Sequence, residues 1–383
     1  MKAKSILTKN AMIIVTVIVI LFFSIGTGGK MLFPQNVNNL IAQNAYVFIL
    51  ATGMLLCILT GGNIDLSIGS LVCLVGAIGA VLIVQMKWPI WISMIVMLIS
   101  GLVIGAWQGY WIAYKRIPPF IVTLAGMLTW RGLANVILQG LTISPMPDSF
   151  DALFNSYVPD IFGNSKLNIT CLVVAVIISV LFFLFTITSR ANKIRKNYDV
   201  EPFQYLLIKN IIICAVLLAF MFKLAQYKGI PVILIWVAAI VVIYTYITEK
   251  TTTGRYFYAV GGNEKATALS GINTNKVYFL AYLNMAFLSS IAAWVVMARL
   301  NSANPTAGTS YEMDAIGSCF IGGASAYGGT GTTGGVVIGA ILMGVLNLGM
   351  SIMGVDMNWQ KVVKGSVLLF AVIFDVMSKK RTA

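Results

Sequence analysis

The chain has 383 residues, of which 59% are hydrophobic and only 10% are charged. A soluble domain is about 25% charged, so this composition excludes a water-facing globule. The chain has no His, which excludes His-based acid–base chemistry and His metal ligation. Its five Cys lie singly in apolar segments, which favours small buried hydrophobes over disulfides or metal ligands. The net charge of +14 is typical of basic cytoplasmic loops in a membrane protein and predicts no nucleic-acid partner.

Apolar segments long enough to cross a membrane as helices recur along the whole chain. They are predicted at 11–27, 44–60, 67–85, 88–113, 119–139, 168–188, 204–222, 230–247, 277–298, 334–353 and 360–377, with a shorter segment at 314–327. The first follows three lysines and lacks a small-x-small cleavage pattern, so we expect a retained signal anchor. The sequence therefore predicts an all-α integral membrane protein, a polytopic helical bundle of about 10–12 spans with Gly-broken helices.

The positions of the basic residues predict which side each connection faces. With the N-terminus inside and the spans alternating, 17 of the 26 basic residues fall inside and 6 fall outside, as the positive-inside rule requires. Both termini are then cytoplasmic, provided that 309–327 crosses or nearly crosses the membrane. The largest outside connection is 140–167, and the most informative inside connection is 248–276. No connection is long enough for an ATP-binding domain, so we expect one integral membrane domain over 1–383.

A polar interruption breaks the apolar stretch between 45 and 84. Gly61 and Gly62 can end one helix, and Asn63 can satisfy the freed backbone groups. Asp65 and Ser67 can cap the helix that follows, where the helix dipole favours a carboxylate. Two interpretations remain open. Asp65 is a helix cap, or the break lines a cavity or gate, as in transporters with discontinuous helices.

A second interruption, Ile321 to Thr330, joins a short apolar segment to a long one through Gly322 and Gly323. Two Gly-interrupted segments, one in each half of the chain, are typical of an internal structural repeat. The following stretch 328–335 is rich in Gly but has no Lys, which favours a tight turn over a phosphate-binding loop.

Two further features concern the spans themselves. Pro118 and Pro119 suit a helix start, and the helix after them carries Phe120 and the polar Thr123. Small residues spaced by four predict two close helix contacts. These faces are formed by Gly101, Gly105 and Gly109 and by Gly335 and Gly339.

The connection 248–276 contains a short, well-bounded element. Asn263 is a predicted N-cap, Glu264 lies in the first turn, residues 265–270 can be helical, and Gly271 can end the helix. A compact helix with small side chains can serve as a rigid docking element for a cytosolic partner. A plain amphipathic connector is the alternative.

Four motifs together resemble the permease subunits of bacterial ABC importers for monosaccharides, the ribose/galactose/xylose-type family. They occur in family order over essentially the whole chain, at 61–69, 117–124, 254–272 and 315–331. The simplest family form has no equivalent of Asn63, and Thr267 stands where a second Ala is common. The longer chain around 190–230 looks more like the xylose or multiple-monosaccharide branch.

The resemblance implies a permease in the bacterial cytoplasmic (inner) membrane that moves a monosaccharide such as xylose, galactose or arabinose. It implies a homodimer with a second permease copy, a cytosolic ABC ATPase with two fused nucleotide-binding domains, an extracytoplasmic sugar-binding protein and contact with lipid. ATP then binds to the ATPase, and this chain holds no cofactor or metal. The expected ATPase-coupling residues are Ala259, Gly261, Gly262, Asn263, Glu264, Ala266, Ala268, Ser270 and Gly271. The expected path or gate residues are Asn63, Asp65, Ser67, Phe120, Thr123, Gly322 and Gly323.

Other functions fit the sequence less well. A branched-chain amino-acid or nucleoside permease of the same superfamily is the main alternative. An ion-coupled secondary transporter is a further alternative. Proton relays use chains of intramembrane Asp, Glu and His, and this chain has no His and only three Asp near the apolar layer. An enzyme needs a nucleophile, base or metal cluster, and none occurs with suitable spacing. We therefore expect a transport subunit without catalytic residues.

Overall fold

The computed structural model describes residues 11–163, 167–200 and 202–380. Fifteen α-helices, a short 3-10 helix at Lys30–Leu32 and no strand longer than an isolated bridge occur in these ranges. The helices are α1 (Ala11–Gly26), α2 (Pro34–Leu59), α3 (Ile68–Ala80, continued by a π-helical turn at Val81–Gln85), α4 (Ile90–Ala113), α5 (Pro119–Leu138), α6 (Asp148–Asn155), α7 (Ile169–Arg195), α8 (Phe203–Ala225), α9 (Val232–Lys250), α10 (Thr252–Gly262), α11 (Glu264–Leu269), α12 (Thr274–Leu300), α13 (Tyr311–Ile321), α14 (Thr333–Ile352) and α15 (Met357–Lys380).

Nine helices within the described ranges are long and apolar enough to span a membrane. They are α2 to α5, α7 to α9, α12 and α14. This confirms the predicted all-α polytopic membrane protein. The predicted segments 11–27 and 314–327 correspond to the shorter helices α1 and α13. The segment 360–377 lies in α15, where two lysines and an aspartate reduce the mean hydropathy.

The chain divides into two compact units. The larger comprises the described residues of Met1–Met31, Leu40–Asn155 and Ile233–Ala383, and the smaller comprises Leu32–Asn39 and Ser156–Val232. In the larger unit, α12 packs along α4 and α3 and is buried over most of its length. The predicted small-residue face of α4 lies in this contact, because a Cβ at Gly105 would be 2.4 Å from the Cβ of Ala286. Close helix approach is therefore confirmed for this pattern.

The smaller unit is built around the helix pair α7 and α8. Asn168 caps α7 by accepting a hydrogen bond from the Cys171 N–H at 2.8 Å. Tyr157 donates to the Asn38 side chain at 3.1 Å, which ties the first turns of α2 to this unit. Large apolar side chains such as Phe185 and Val216 are exposed on these helices, as expected for surfaces that face lipid.

Candidate functional site

The connection between α9 and α12 folds into two short helices. Asn263 begins α11, because its side-chain oxygen accepts the Ala266 N–H at 2.9 Å, and Gly271 follows the helix with φ of +82°. These observations confirm the predicted N-cap and helix end. The prediction missed α10, in which Gly261 and Gly262 form the last turn. The reason is that buried side chains on one face of α10, and not helix propensity, hold these glycines in a helix.

A polar cluster fixes α11 to its neighbours. The Arg116 guanidinium lies 2.6 Å from the Glu264 carboxylate and donates to the Asn275 side chain at 2.6 Å. Tyr278 donates to the same Glu264 carboxylate at 3.1 Å, and its ring lies under the Arg116 guanidinium. Partial burial raises the pKa of Glu264, but the hydrogen bond and charge of Arg116 outweigh it and hold that pKa below its ordinary value. Helix α11 is therefore attached to α12 and to the α4–α5 connection.

The outer face of α11 is free within the described chain. Lys265, Ala266 and Ala268 are exposed, and Leu269 is 90% exposed. Thr267 is buried and donates to the Asn263 carbonyl at 2.7 Å. Sequence reasoning did not select Leu269. The signal that could have found it is one large apolar residue in a helix that is otherwise small or polar.

Both glycine breaks meet the end of α10 through backbone contacts. The Leu59 carbonyl at the end of α2 accepts the Gly329 N–H at 3.0 Å. A Cβ at Gly261 would lie 1.8 Å from that carbonyl oxygen and 2.5 Å from the Gly329 nitrogen. At Gly62, with φ of +76°, a Cβ would lie 1.9 Å from the Ala326 carbonyl oxygen. Only glycine fits at such contacts, so the three motifs form one backbone junction that spacing alone did not reveal.

Two side chains extend this junction. The Tyr258 hydroxyl of α10 donates to the Gly331 carbonyl at 2.9 Å. The Ala326 N–H donates to the Asp375 carboxylate of α15 at 3.1 Å. The second break is therefore attached both to α10 and to α15.

The first break contains a buried hydrogen-bond chain. Gln108 donates to the Ser67 hydroxyl at 2.8 Å, and that hydroxyl donates to the Asp65 carboxylate at 2.6 Å. The same carboxylate oxygen accepts the Ser67 N–H at 2.8 Å. All three side chains are almost fully buried. The Asp65 carboxylate thus satisfies a backbone group at the start of α3, as its interpretation as a cap predicts, while Ser67 makes no capping bond of its own.

The other predicted path residues do not form one surface. Thr123 is buried, Asn63 is half-buried and donates to the Thr60 carbonyl at 3.3 Å, and Phe120 is 54% exposed. Gly322 packs against the backbone of α14, and Gly323 has φ of +86°. Their role in a path or gate stays a prediction.

A buried ion pair, which sequence reasoning did not select, lies near the start of α13. The Lys364 ammonium of α15 is 2.9 Å from the Asp314 carboxylate, which is 1% exposed. Tyr46 of α2 donates to the same carboxylate at 2.6 Å and stacks on Tyr311 with ring centroids 3.7 Å apart. The cluster connects α2, α13 and α15. Lys364 and Tyr46 are 50 and 268 residues from Asp314 along the chain, so no local sequence motif predicts the cluster.

The chain matches one protein family and is similar to individual permeases over most of its length. Residues 36–372 match the family described as branched-chain amino acid transport system / permease component. The chain is 35% identical to the xylose transport system permease protein XylH of Haemophilus influenzae over 381 residues, covering 99% of each chain. It is 34% identical to XylH of Escherichia coli K12, covering 97% of this chain and 92% of the relative.

The ribose import permease protein RbsC of Escherichia coli K12 is 34% identical over 342 residues, covering 89% of this chain and 85% of the relative. No solved structure matches. The family match covers most of the chain, and the relatives align with nearly all of it. The chain is a multi-pass membrane protein of the branched-chain amino acid transport system / permease component family.

Proposed function

We propose that this chain is the permease subunit of an ABC importer that moves a monosaccharide across the inner membrane. The observation that carries the proposal is the match to permeases named for xylose and ribose, at 34–35% identity over 85% or more of every chain compared. The family description also names branched-chain amino acids, which are the alternative substrate class. The relatives that align over most of their length are named for pentoses, which favours a sugar over an amino acid as the substrate.

We further propose that a separate cytosolic ATPase drives transport by docking on the outer face of α11. Exposed Leu269 gives this face an apolar anchor, and Ala266 and Ala268 leave it narrow enough to enter a groove. The ion pair between Arg116 and Glu264 keeps α11 from moving independently of its neighbours. ATPase motion would pass from α10 through the Gly261 contact to both glycine breaks. A second permease copy and an extracytoplasmic sugar-binding protein complete the proposed importer.

Reconstitution tests the substrate class. The chain is incorporated into proteoliposomes with its ATPase and binding protein, and ATP-dependent uptake of labelled D-xylose, D-ribose, D-galactose and L-arabinose is measured beside leucine and adenosine. We expect uptake of at least one sugar and background uptake of leucine and adenosine. Uptake of leucine or adenosine without any sugar would establish the alternative.

Charge insertion on α11 tests the docking surface. Leu269→Asp should reduce co-purification with the ATPase about tenfold, because a carboxylate replaces the apolar anchor. Thr253→Asp adds the same charge to an exposed site in the first turn of α10, where the helix dipole favours it, and should assemble normally. Normal assembly and normal ATP-driven uptake by Leu269→Asp would show that α11 is only a connector.

A further inference from the structure

A cavity of about 380 Å³ lies between α2, α12 and the start of α13, within the larger compact unit. Its polar lining residues are Gln43, Tyr46, Arg299 and Tyr311, and its apolar lining includes Val295 and Val296. Small-molecule sites in proteins have volumes of roughly 300–1,000 Å³ and combine apolar walls with a few polar groups. The cavity therefore has the size and the lining of a site for one small ligand.

Two of the polar groups are available to a ligand. Among the described residues, neither the Gln43 amide nor the Arg299 guanidinium has a hydrogen-bond or ion-pair partner. An amide offers two donors and an acceptor oxygen, and a guanidinium offers five donors. Together they can bind several hydroxyl groups of one ligand without giving up a contact within the protein.

The rings of Tyr46 and Tyr311 form an aromatic wall of the cavity, and contacts on the side away from the cavity hold this wall in place. Tyr46 and Tyr311 stack with ring planes 16° apart, and the Tyr46 hydroxyl is engaged by Asp314. Lys364 neutralises that carboxylate. The rings thus present carbon surface in a fixed orientation, and the charge behind them is compensated. A fixed aromatic surface suits the C–H faces of a sugar ring, which are apolar although the ring carries hydroxyl groups.

The lining also discriminates between ligand classes. A zwitterionic amino acid needs a partner for its carboxylate and another for its ammonium group. Arg299 can serve the first, but none of the described residues that line the cavity carries a carboxylate, and Asp314 behind the two tyrosine rings is already paired. A neutral polyhydroxyl ligand needs only hydrogen-bonding groups and an apolar face, and both are present.

We propose that this cavity is a transient binding site for one monosaccharide on its way through the permease. The inference rests on the proposed function and adds a site to it. The cavity lies at the C-terminal end of α12, which the basic residues predict to face outside. The sugar would occupy it after release from the binding protein, with Gln43 and Arg299 bound to its hydroxyls and the tyrosine wall against its ring.

Protection from alkylation tests the site in the complete importer. Ala42, which lines the cavity, is replaced by Cys in a Cys-less chain, because this change leaves Gln43 and Arg299 intact. A membrane-impermeant maleimide is applied with and without the sugar that the wild-type importer transports. We expect that sugar to slow labelling at position 42. Leu141→Cys, at an exposed site outside the cavity, is the control and should label at the same rate with and without sugar.

Substitutions of the polar groups sharpen the test. Gln43→Leu and Arg299→Met should each raise the sugar concentration for half-protection about twofold to tenfold, the effect of one lost hydrogen bond. Assembly with the ATPase should be unchanged. Sugar transport without any protection at position 42, or equal protection at positions 42 and 141, would overturn the site and leave the proposed function standing. Transport of amino acids alone would overturn both.

Discussion

The two glycine breaks differ in how their carboxylates are held. In the first break, Asp65 binds the N–H and hydroxyl of Ser67, two residues away. At the second, Asp375 of the last helix accepts the N–H of Ala326, 49 residues away, and Asp314, in the first turn of the helix before that break, is held by Lys364, 50 residues away. The carboxylate of the first break is held by its own sequence, whereas those near the second depend on the position of α15.

This difference indicates what each break can do during transport. A local hydrogen bond such as that of Asp65 survives when helices move apart, because both partners travel together. A contact between α13 and α15 must be kept or broken as a unit, since its charges cannot be separated in an apolar layer without large cost. We therefore expect the second break to change its contacts when α15 moves, whereas the hydrogen bonds between Asp65 and Ser67 within the first break are kept.

The largest expected effect comes from removing one charge of the buried pair between Lys364 and Asp314. Lys364→Met leaves the Asp314 carboxylate buried without its partner, which costs about 3–5 kcal/mol. We expect a marked fall in folded permease and in the thermal unfolding temperature of the detergent-purified protein. Lys361→Met, at an exposed position one turn earlier on α15, should have little effect.

The double variant Asp314→Asn with Lys364→Met distinguishes loss of charge balance from loss of packing. Neither charge is then buried, so most of the stability should return, since replacing both members of a buried pair is often nearly neutral. Equal stability of Lys364→Met and Lys361→Met would show that the ion pair does not stabilise the contact between α13 and α15.

The next largest effect is expected at Gly261, which contacts the backbone beside both glycine breaks. In Gly261→Ala the new methyl group would lie 1.8 Å from the Leu59 carbonyl oxygen, so backbone must move, at a cost of about 1–3 kcal/mol. Gly262→Ala, one residue later in the same helix, meets nothing within 4 Å. ATP-driven sugar uptake should fall in the first variant and persist in the second. Equal uptake by both would mean that the junction does not transmit motion.

Features with local causes could be predicted from sequence. The Asn263 cap, the end near Gly271 and the close face of α4 each follow from residues within one or two turns. The Asp65 cap belongs to the same class. For each of these features, the residue type and its position in the sequence are enough to predict the cap, the helix end or the close helix contact.

Features that depend on tertiary contact could not be predicted. Two adjacent glycines such as Gly261 and Gly262 disfavour a helix, yet buried neighbours on α10 hold them in one. The Asp314–Lys364 pair and the junction at Leu59 join segments that only the fold brings together. Leu269 is unremarkable in sequence, and only its exposure distinguishes it.

A smaller effect is expected at the first break. Asp65→Asn keeps an oxygen that can accept both bonds from Ser67, and Asn caps nearly as well as Asp. We expect it to retain most uptake, whereas Asp65→Ala should lose about 0.5–2 kcal/mol of stability. Loss of uptake by a normally assembled Asp65→Asn importer would mean that the charge itself is required, as the gate interpretation predicts.

The smallest effect is expected outside both breaks, at the ion pair between Arg116 and Glu264. These side chains are partly exposed, so the pair contributes only about 0.2–1 kcal/mol. Because the pKa of Glu264 is lowered in the folded protein, its stabilisation is complete at neutral pH and is lost as the pH falls through that lowered pKa. Glu264→Gln should therefore lower the unfolding temperature slightly at pH 7, and the difference from wild type should shrink in acid.

Glu249→Gln makes the same charge change at an exposed site on α9, where the described residues give no ion pair. It should show no such pH dependence. If Glu264→Gln and Glu249→Gln behave alike at every pH, the pair does not fix α11, and the rigidity of the docking element must come from its backbone contacts alone. A difference confined to Glu264→Gln, together with weaker ATPase-coupled uptake, would show that even a weak surface pair matters where a helix must transmit motion instead of absorbing it.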